Sequence, residues 1–258
     1  MSLQPAIAAQ SDGSLILVWM DTTGGYDRIY YAWQDDGLWN TFLVPSSIGG
    51  SAPDVSVGLD DRIWLTWHVL EPEPSNHYDI YAIYGVYGDG ISWASYAMNI
   101  SDSADADSLY PRLASAPDLG SFMVWQEGQG DDAEVCYVDN LEDIDWWSFQ
   151  WNVSQTSTCS EKPSIALDVV GNAHVIWDEG DQLLYRYREA LTTTWSCPIT
   201  IAVGADDHIG EAKLIGSVGF QVHAFWSQLR EVDACDIYHR AGDLLQPYDL
   251  WLPLSYSP

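Results

Sequence analysis

The chain has 258 residues, of which 47% are apolar and 13% aromatic, enough to build a sizeable hydrophobic core. It carries 38 Asp and Glu residues against 9 Lys and Arg, a formal net charge of −29 at pH 7. This charge argues against binding to nucleic acid or to anionic membranes, and no run of about 18 apolar residues is present that could span a bilayer.

A tryptophan that closes an apolar run recurs along the chain at intervals of 48 to 58 residues. These five anchor tryptophans are Trp19, Trp67, Trp125, Trp177 and Trp226. A short strand-like run precedes each anchor and begins with proline in several repeats, and an aromatic strand-like run follows it. Short strands that repeat with a period near fifty residues are typical of propeller blades.

The sequence therefore predicts an all-β fold, a five-bladed β-propeller with four antiparallel strands per blade. One domain is expected over residues 1–258, because a single blade cannot bury its own apolar faces. The predicted blades are about 4–50, 51–108, 109–159, 160–207 and 208–258. The chain starts on a first strand and ends on a fourth strand, so we expect either a ring closed by packing alone or a segment of something longer. Such a joint favours self-association.

The four cysteines match no metal-ligand spacing. Cys136 falls where other repeats have tyrosine, which predicts a small buried apolar residue. Cys159 and Cys197 bracket the fourth repeat and form the more plausible disulfide pair. The sequons Asn99-Ile100-Ser101 and Asn152-Val153-Ser154 permit an extracellular or cell-surface location.

Two segments, Asp35-Asp36-Gly37-Leu38-Trp39 and Asp89-Gly90-Ile91-Ser92-Trp93, resemble the Asp-box of sialidase-type (BNR-like) repeat propellers. Asp145-Trp146 and Thr194-Trp195-Ser196 resemble eroded copies of it. The resemblance implies a carboxylate that caps a hairpin and a tryptophan packed between sheets, away from the active face.

Sialidase catalysis is not implied by this resemblance. Those enzymes clamp a substrate carboxylate with three arginines, and of the seven arginines in this chain only Arg112 falls on a predicted first strand. The family ring also has six blades rather than five. No catalytic residue is therefore assigned.

Most acidic residues fall on loops of one predicted face of the propeller. Three explanations fit this acidity: adaptation to high salt, calcium-binding loops, or a basic partner. The candidate metal ligands are Asp102, Asp105 and Asp107, whose alternation resembles half of a calcium loop without its glycine and distal glutamate. The alternative is a solvated acidic loop without Ca²⁺.

Polar residues directly follow the anchor tryptophans and are expected to ring the mouth of the central channel. The candidate ligand-binding residues are Asp21, His68, Gln126, Glu127, Asp178 and Glu179. Carboxylates and amides beside indole rings suit sugar hydroxyls and sugar faces, but the anchor tryptophans can equally be core between blades. Five less regular tryptophans are the better candidates for exposure, although half of them can also be core: Trp33, Trp64, Trp147, Trp151 and Trp251.

The leading functional hypothesis is a non-enzymatic, carbohydrate-binding, secreted or surface propeller that presents an acidic loop face to a glycan, a cation or a basic protein. One alternative is a glycoside hydrolase-like enzyme with carboxylates near the propeller axis. The other is a structural or assembly unit. His174 and His223 share one repeat position, which predicts structural hydrogen bonds rather than a metal pair.

Overall fold

The computed structural model describes residues 1–35, 37–58, 61–88, 90–116, 120–141, 146–190, 192–204, 209–216, 221–231, 234–242 and 252–253, with the backbone alone at 35, 229–231, 234–235 and 252–253. These residues form β-strands and turns, with a 3-10 turn at Gly130–Asp132, and they contain no α-helix. The prediction of an all-β chain is confirmed.

The strands group into five antiparallel sheets that follow one another along the chain. The first contains β1 (Ser2–Ala9), β2 (Leu15–Asp21), β3 (Arg28–Asp35) and β4 (Leu38–Leu43). The second contains β5 (Gly50–Val57), β6 (Ile63–Leu70), β7 (Tyr78–Tyr87), β8 (Ile91–Trp93) and β9 (Met98–Asn99). The third contains β10 (Ser108–Ala116), β11 (Gly120–Glu127), β12 (Glu134–Asp139) and β13 (Trp151–Asn152). The fourth contains β14 (Glu161–Leu167), β15 (Ala173–Glu179), β16 (Gln182–Arg188) and β17 (Ile199–Val203), and the fifth β18 (Ile209–Gly216), β19 (Val222–Glu231), β20 (Ala234–Gly242) and β21 (Leu252–Pro253).

The strand order within each sheet is the chain order. Four sheets have four strands, as predicted, but the second has five because β9 also pairs with β7. The outer strands β13 and β21 have only two residues each. Four strands per blade is therefore only an approximate description of this chain.

The chain divides into two compact units, each described by itself. Unit 1 comprises Met1–Gly128 and Val138–Gln150, and unit 2 comprises Gln129–Tyr137 and Trp151–Pro258. In unit 1 the first strands of successive sheets pack side by side, β1 against β5 and β5 against β10. In unit 2, β14 packs against β18 in the same way.

Every first strand contains a bulge near its start. The register with the second strand shifts between Leu3 and Ala6, and at the equivalent place in the other four sheets. In four of them the bulged residue precedes proline and has a φ between 49° and 54°; these residues are Gln4, Ala52, Tyr110 and Lys162. A bulge redirects the side chain it carries, so this repeated backbone feature presents Tyr110 and Lys162 to the neighbouring site residues.

The anchor tryptophans form the core of the sheets. Trp67, Trp125, Trp177 and Trp226 are at most 1% exposed, which confirms the core interpretation for these four. The face that carries the anchor packs on the preceding sheet: Trp67 lies against the first sheet in unit 1, and Trp226 against the fourth in unit 2. Trp19 belongs to the first sheet, and it is only half-buried.

Two of the four described less regular tryptophans are buried, as the expectation that half of them are core allows, and the suggested disulfide is corrected. Trp64 and Trp147 are buried and meet edge to face with ring centroids 5.0 Å apart, whereas Trp151 is exposed and Trp33 half-buried. Trp251 lies outside the described residues. Cys136 is buried as predicted, but Cys159 and Cys197 are both free thiols and form no disulfide. The side chain of Cys235 lies outside the described part.

Candidate functional site

The carboxylate two residues after an anchor tryptophan ties the second strand to its surroundings. In the third sheet, the indole Nε1 of Trp125 donates to Glu127 Oε2 at 2.8 Å. The hydroxyl of Ser108 donates to the same oxygen at 2.7 Å, and the hydroxyl of Ser103 donates to Oε1. Glu127 therefore holds the loop that enters β10. The preceding Gln126 is buried, and its Nε2 donates to the carbonyl of Gly128 at 3.1 Å.

The fourth sheet repeats this arrangement. Trp177 Nε1 donates to Glu179 Oε2 at 2.6 Å, and the hydroxyl of Ser160 donates to the same oxygen at 2.9 Å. Thr158 donates to Oε1. Burial by itself would raise the pKa of Glu179, but the hydrogen bonds from these residues and from Thr156 together lower it.

The first sheet has a reduced form of the same contact. Asp21 accepts hydrogen bonds from the Ser2 hydroxyl at 2.7 Å and from the Thr23 backbone N–H at 2.6 Å. Hydrogen bonds from Thr23 and Ser2 lower the pKa of Asp21 to about 2. The carboxylate of Asp21 is thus hydrogen-bonded within the first sheet, near the start of β1.

The candidate calcium ligands do not converge. Asp107 Oδ1 accepts the backbone N–H of Tyr78 at 2.9 Å, while Asp102 and Asp105 are exposed. Within the described part of the chain no three His, Cys, Asp or Glu residues stand close enough to hold a metal ion. The loop is anchored instead by Glu127 and by the buried Asp79.

Both sequons are built into turns. Ser101 Oγ accepts the backbone N–H of Ile80 at 3.0 Å, and Ser154 Oγ accepts that of Val135 at 2.9 Å. The asparagine side chains accept the N–H groups three residues ahead, Asn99 from Asp102 and Asn152 from Gln155. A repeated structural turn therefore accounts for the Asn-x-Ser pattern.

His68 is buried at the first position after its anchor. Its Nδ1 accepts the backbone N–H of Tyr110 at 3.1 Å, and its ring meets the edges of Tyr78 and Tyr110. Burial, reinforced by the positive charge of Arg112, lowers the pKa of His68 to about 4. The imidazole is therefore neutral at physiological pH. Arg112 itself donates to the carbonyl of Pro111, and its buried Nε has no hydrogen-bond partner.

Asp178 occupies the same position in the fourth sheet as His68 in the second, but its environment is different. The residue is 8% exposed, and its Oδ2 forms an ion pair with the Lys162 ammonium, whose Nζ donates to it at 3.4 Å. Its Oδ1 is buried without a hydrogen-bond partner. Burial raises the pKa of Asp178 to about 6, Lys162 opposes the rise, and Glu161, its cross-strand partner on β14, adds to it. Among the candidate ligand residues, this is the one with an unused buried polar atom.

Of the six candidate ligand residues, Asp21, His68, Gln126 and Glu127 lie in unit 1, and Asp178 and Glu179 lie in unit 2. Sequence reasoning missed Lys162, Ser108 and Ser160. A signal for the serines was present: an acid stands two residues after three of the anchors, and a serine stands near the start of the strand that pairs there. Nothing in the linear pattern distinguished Lys162 from a solvated lysine.

The Asp-box carboxylates lie outside the residues whose side chains are described. The tryptophans of these segments behave unequally: Trp93 packs edge to face on Tyr31, and Trp195 on Tyr137, at 5.1 and 5.2 Å between ring centroids. Trp39 and Trp146 are 46% and 75% exposed. In the third repeat the neighbouring Trp147 takes the buried place.

None of the described residues forms a helix long and apolar enough to cross a membrane. No protein-family model matches the chain, and no curated protein matches it in sequence.

The chain is similar in structure to several solved proteins. Over 93% of its length it matches a protein of unknown function from Dyadobacter fermentans, with a TM-score of 0.67, 12% identity and 75% of that chain covered. Over 99% it matches the Hadza microbial sialidase Hz136, with a TM-score of 0.60, 15% identity and 59% of that chain covered. Over 94% it matches the Aleuria aurantia lectin in complex with α-methyl-L-fucoside, with a TM-score of 0.57, 12% identity and 75% of that chain covered.

At sequence identities this low, the similarity to these structures is evidence for the fold alone. The chain has a β-propeller fold of the kind found in sialidases and glycoside hydrolases. It spans 59% of the length of that sialidase. The structural neighbours include both enzymes and a lectin, so the fold is compatible with either class.

Proposed function

We propose that this chain is a carbohydrate-binding propeller whose ligand contacts Asp178. Proteins of this fold include a sialidase and a lectin bound to a fucoside, and the site in the fourth sheet has the chemistry that a sugar hydroxyl needs. We also propose that the chain forms five blades in one domain spanning 1–258. Its proposed location is extracellular or on the cell surface.

The observation that carries the proposal is the buried Oδ1 of Asp178. A buried polar atom without a partner costs about 1–3 kcal/mol, more when it is charged. In the second sheet the equivalent position is satisfied by the neighbouring bulge, where Tyr110 N–H donates to His68. In the fourth sheet Oδ1 has no donor and is shielded from solvent, so a ligand hydroxyl reaches it only once the Asp178 side chain turns toward the surface.

Glu179 and Glu127 are excluded from direct ligand contact in this proposal. Their carboxylates already receive indole and hydroxyl donors from their own sheets. They act by positioning the loops beside the site. Asp21 is likewise committed to Ser2 and Thr23.

A glycan array followed by calorimetry with the best ligand tests the proposal. We expect Asp178→Ala to weaken binding by about tenfold or more, the loss of one charge-assisted hydrogen bond. Asp181→Ala is the matched control, because Asp181 is exposed in the turn three residues later. Binding that is unchanged in Asp178→Ala would contradict the proposal.

A glycoside hydrolase is the second candidate function. A carboxyl with a pKa of about 6 retains part of its proton near neutral pH, as a general acid must. Glu161 faces Asp178 across the strand pair and is the candidate second carboxylate. Release of an aryl leaving group from activated glycosides tests this function: Asp178→Asn should abolish the alkaline limb of the pH profile if Asp178 is the proton donor.

Two further expectations stay predictions: a structural or assembly role with self-association, which sedimentation tests, and a basic protein partner. We do not propose Ca²⁺ at Asp102, Asp105 and Asp107, because these residues do not converge and Asp107 already accepts the Tyr78 N–H.

A further inference from the structure

The fifth sheet carries a pair of histidines that the proposed carbohydrate site does not use. His223 on β19 and His239 on β20 lie on the same face of the sheet, and Nδ1 of His223 is 2.9 Å from Nε2 of His239. The two ring planes differ by 8°, with centroids 5.2 Å apart. One imidazole therefore donates its N–H to the lone pair of the other.

The fourth sheet shows what this pair replaces. His174 and His223 each stand three residues before the anchor tryptophan, and Nδ1 of His174 is 2.7 Å from the hydroxyl of Tyr185. Tyr185 and His239 occupy the same place in the register, each opposite the residue that precedes the anchor. The fifth sheet thus offers two imidazole nitrogens where the fourth offers one nitrogen and a hydroxyl.

The pair in the fifth sheet is accessible to solvent, whereas both members of the pair in the fourth sheet are at most 1% exposed. His223 and His239 are half-buried. On the same face Ile215, the cross-strand partner of His223, is 55% exposed, and Ile237, two residues before His239, is 59% exposed. An ion from solvent can therefore reach this face, and the imidazole rings have room to turn.

A metal ion fits between the two nitrogens after a small movement. Nitrogens at about 2.1 Å from one ion stand about 3.0 Å apart when they subtend a right angle, and about 3.4 Å apart at the tetrahedral angle. The two nitrogens therefore have to part by at most about half an ångström, while each ring turns so that its lone pair meets the ion. The ring that donated its N–H remains neutral by carrying its proton on the other nitrogen. Phe225 packs on the His239 ring, with centroids 4.5 Å apart, and supports one side of it.

We propose that Nδ1 of His223 and Nε2 of His239 chelate a divalent transition ion of the class that imidazole binds, namely Zn²⁺, Ni²⁺ or Cu²⁺. Ca²⁺ and Mg²⁺ prefer oxygen ligands and are not expected at this pair. Among the residues that the structure describes, no third His, Cys, Asp or Glu joins the two imidazoles, so water or an external ligand takes the remaining coordination positions. The site lies on a different sheet from Asp178 and does not depend on the carbohydrate-binding function.

Calorimetric titration of the full chain with NiCl₂ tests the proposal, in a buffer with excess MgCl₂ to occupy the exposed carboxylates. We expect saturable binding of Ni²⁺ that is weakened about tenfold or more in His223→Ala and in His239→Ala. His239→Tyr is the matched variant, because it rebuilds in the fifth sheet the His–Tyr pair of the fourth. This variant keeps a hydrogen-bond partner for His223 but loses a nitrogen ligand. Its affinity for Ni²⁺ should fall by a similar factor while its unfolding midpoint stays near that of wild type.

Thermal unfolding of wild type supplies a second measurement that requires no variant. Ni²⁺ should raise the unfolding midpoint, because it binds the native pair, and EDTA should restore the original value. Equal affinity of wild type and His239→Tyr for Ni²⁺ would show that the ion binds elsewhere. Absence of both Ni²⁺ binding and a midpoint shift in wild type would show that the two histidines form a structural hydrogen bond only. Either result overturns the proposal and leaves the carbohydrate-binding function untouched.

Discussion

Asp178 and Glu179 are adjacent carboxylates on β15 whose pKa values are displaced in opposite directions. Burial raises the pKa of Asp178 to about 6, while burial at Glu179 is outweighed by hydrogen bonds that lower its pKa. Successive residues of a strand point to opposite faces, so the two side chains meet different donors. Glu179 meets an indole and two hydroxyls, and Asp178 meets one ammonium.

The first prediction concerns the pH dependence of stability. Because the folded-state pKa of Asp178 is raised, the native state binds more protons than the unfolded state between about pH 4 and 6, and stability falls as the pH rises through this window. At pH 7 the cost is at most about 3 kcal/mol, from about two pKa units at 1.36 kcal/mol each.

Asp178→Asn should therefore increase the free energy of unfolding at pH 7 and leave it nearly unchanged at pH 4. Urea unfolding at a series of pH values measures this directly. If the variant is less stable than wild type at pH 7, Asp178 is not a destabilising buried carboxylate with an unpaired oxygen.

The second prediction concerns the loop anchors. Glu179→Gln should destabilise the chain by about 1.5–3 kcal/mol, because charge-assisted bonds from Trp177, Ser160 and Thr158 are weakened or lost. Glu189→Gln, an exposed change just past the end of β16 in the same sheet, should stay within about 0.5 kcal/mol of wild type. Equal effects of the two changes on the urea midpoint would show that Glu179 is not an anchor.

The repeat and the all-β class of the chain could be predicted from the sequence, because an anchor tryptophan in an apolar run is a local pattern. It did not separate Asp178 from Glu179. What distinguishes them is a lysine on the paired strand and hydroxyls 19 and 21 residues away, and such partners are set by register and by the bulge. The same limit applies to Trp147, whose burial depends on its contact with Trp64, 83 positions earlier in the sequence.

The third prediction uses two aromatic residues of one segment. Trp147→Ala should destabilise the chain by about 3–5 kcal/mol, because it empties a buried site against Trp64. Phe149→Ala should have almost no effect, because Phe149 is 92% exposed. Thermal unfolding of both variants checks the pair, and a similar loss in both would contradict the described packing.

The fourth prediction concerns the buried His174. Its Nδ1 pairs with the Tyr185 hydroxyl at 2.7 Å, and burial lowers its pKa despite the nearby Asp168. The unfolded state then binds the proton first, so stability is lost as the pH falls below about 6.5. His174→Gln should make this acid-sensitive slope shallower, while the buried His68 keeps its own contribution of the same sign. Because Asp178 contributes a slope of opposite sign, both proteins are compared in the Asp178→Asn background, where an unchanged slope would contradict the prediction.

The fifth prediction separates salt effects from calcium. Asp107 is already bonded to the Tyr78 N–H, so we expect millimolar Ca²⁺ or a chelator to leave the unfolding midpoint nearly unchanged. Molar NaCl should raise the midpoint, because it screens repulsion among 38 acidic residues. A midpoint raised sharply by calcium and restored by chelator would instead establish a calcium site.

The most direct test of the account is calorimetric titration of wild type, Asp178→Ala and Asp181→Ala with the best sugar ligand selected on the array. The account predicts binding to wild type and to Asp181→Ala, and a loss of about tenfold or more in Asp178→Ala. Equal affinity for all three proteins would place the sugar elsewhere and contradict the central claim.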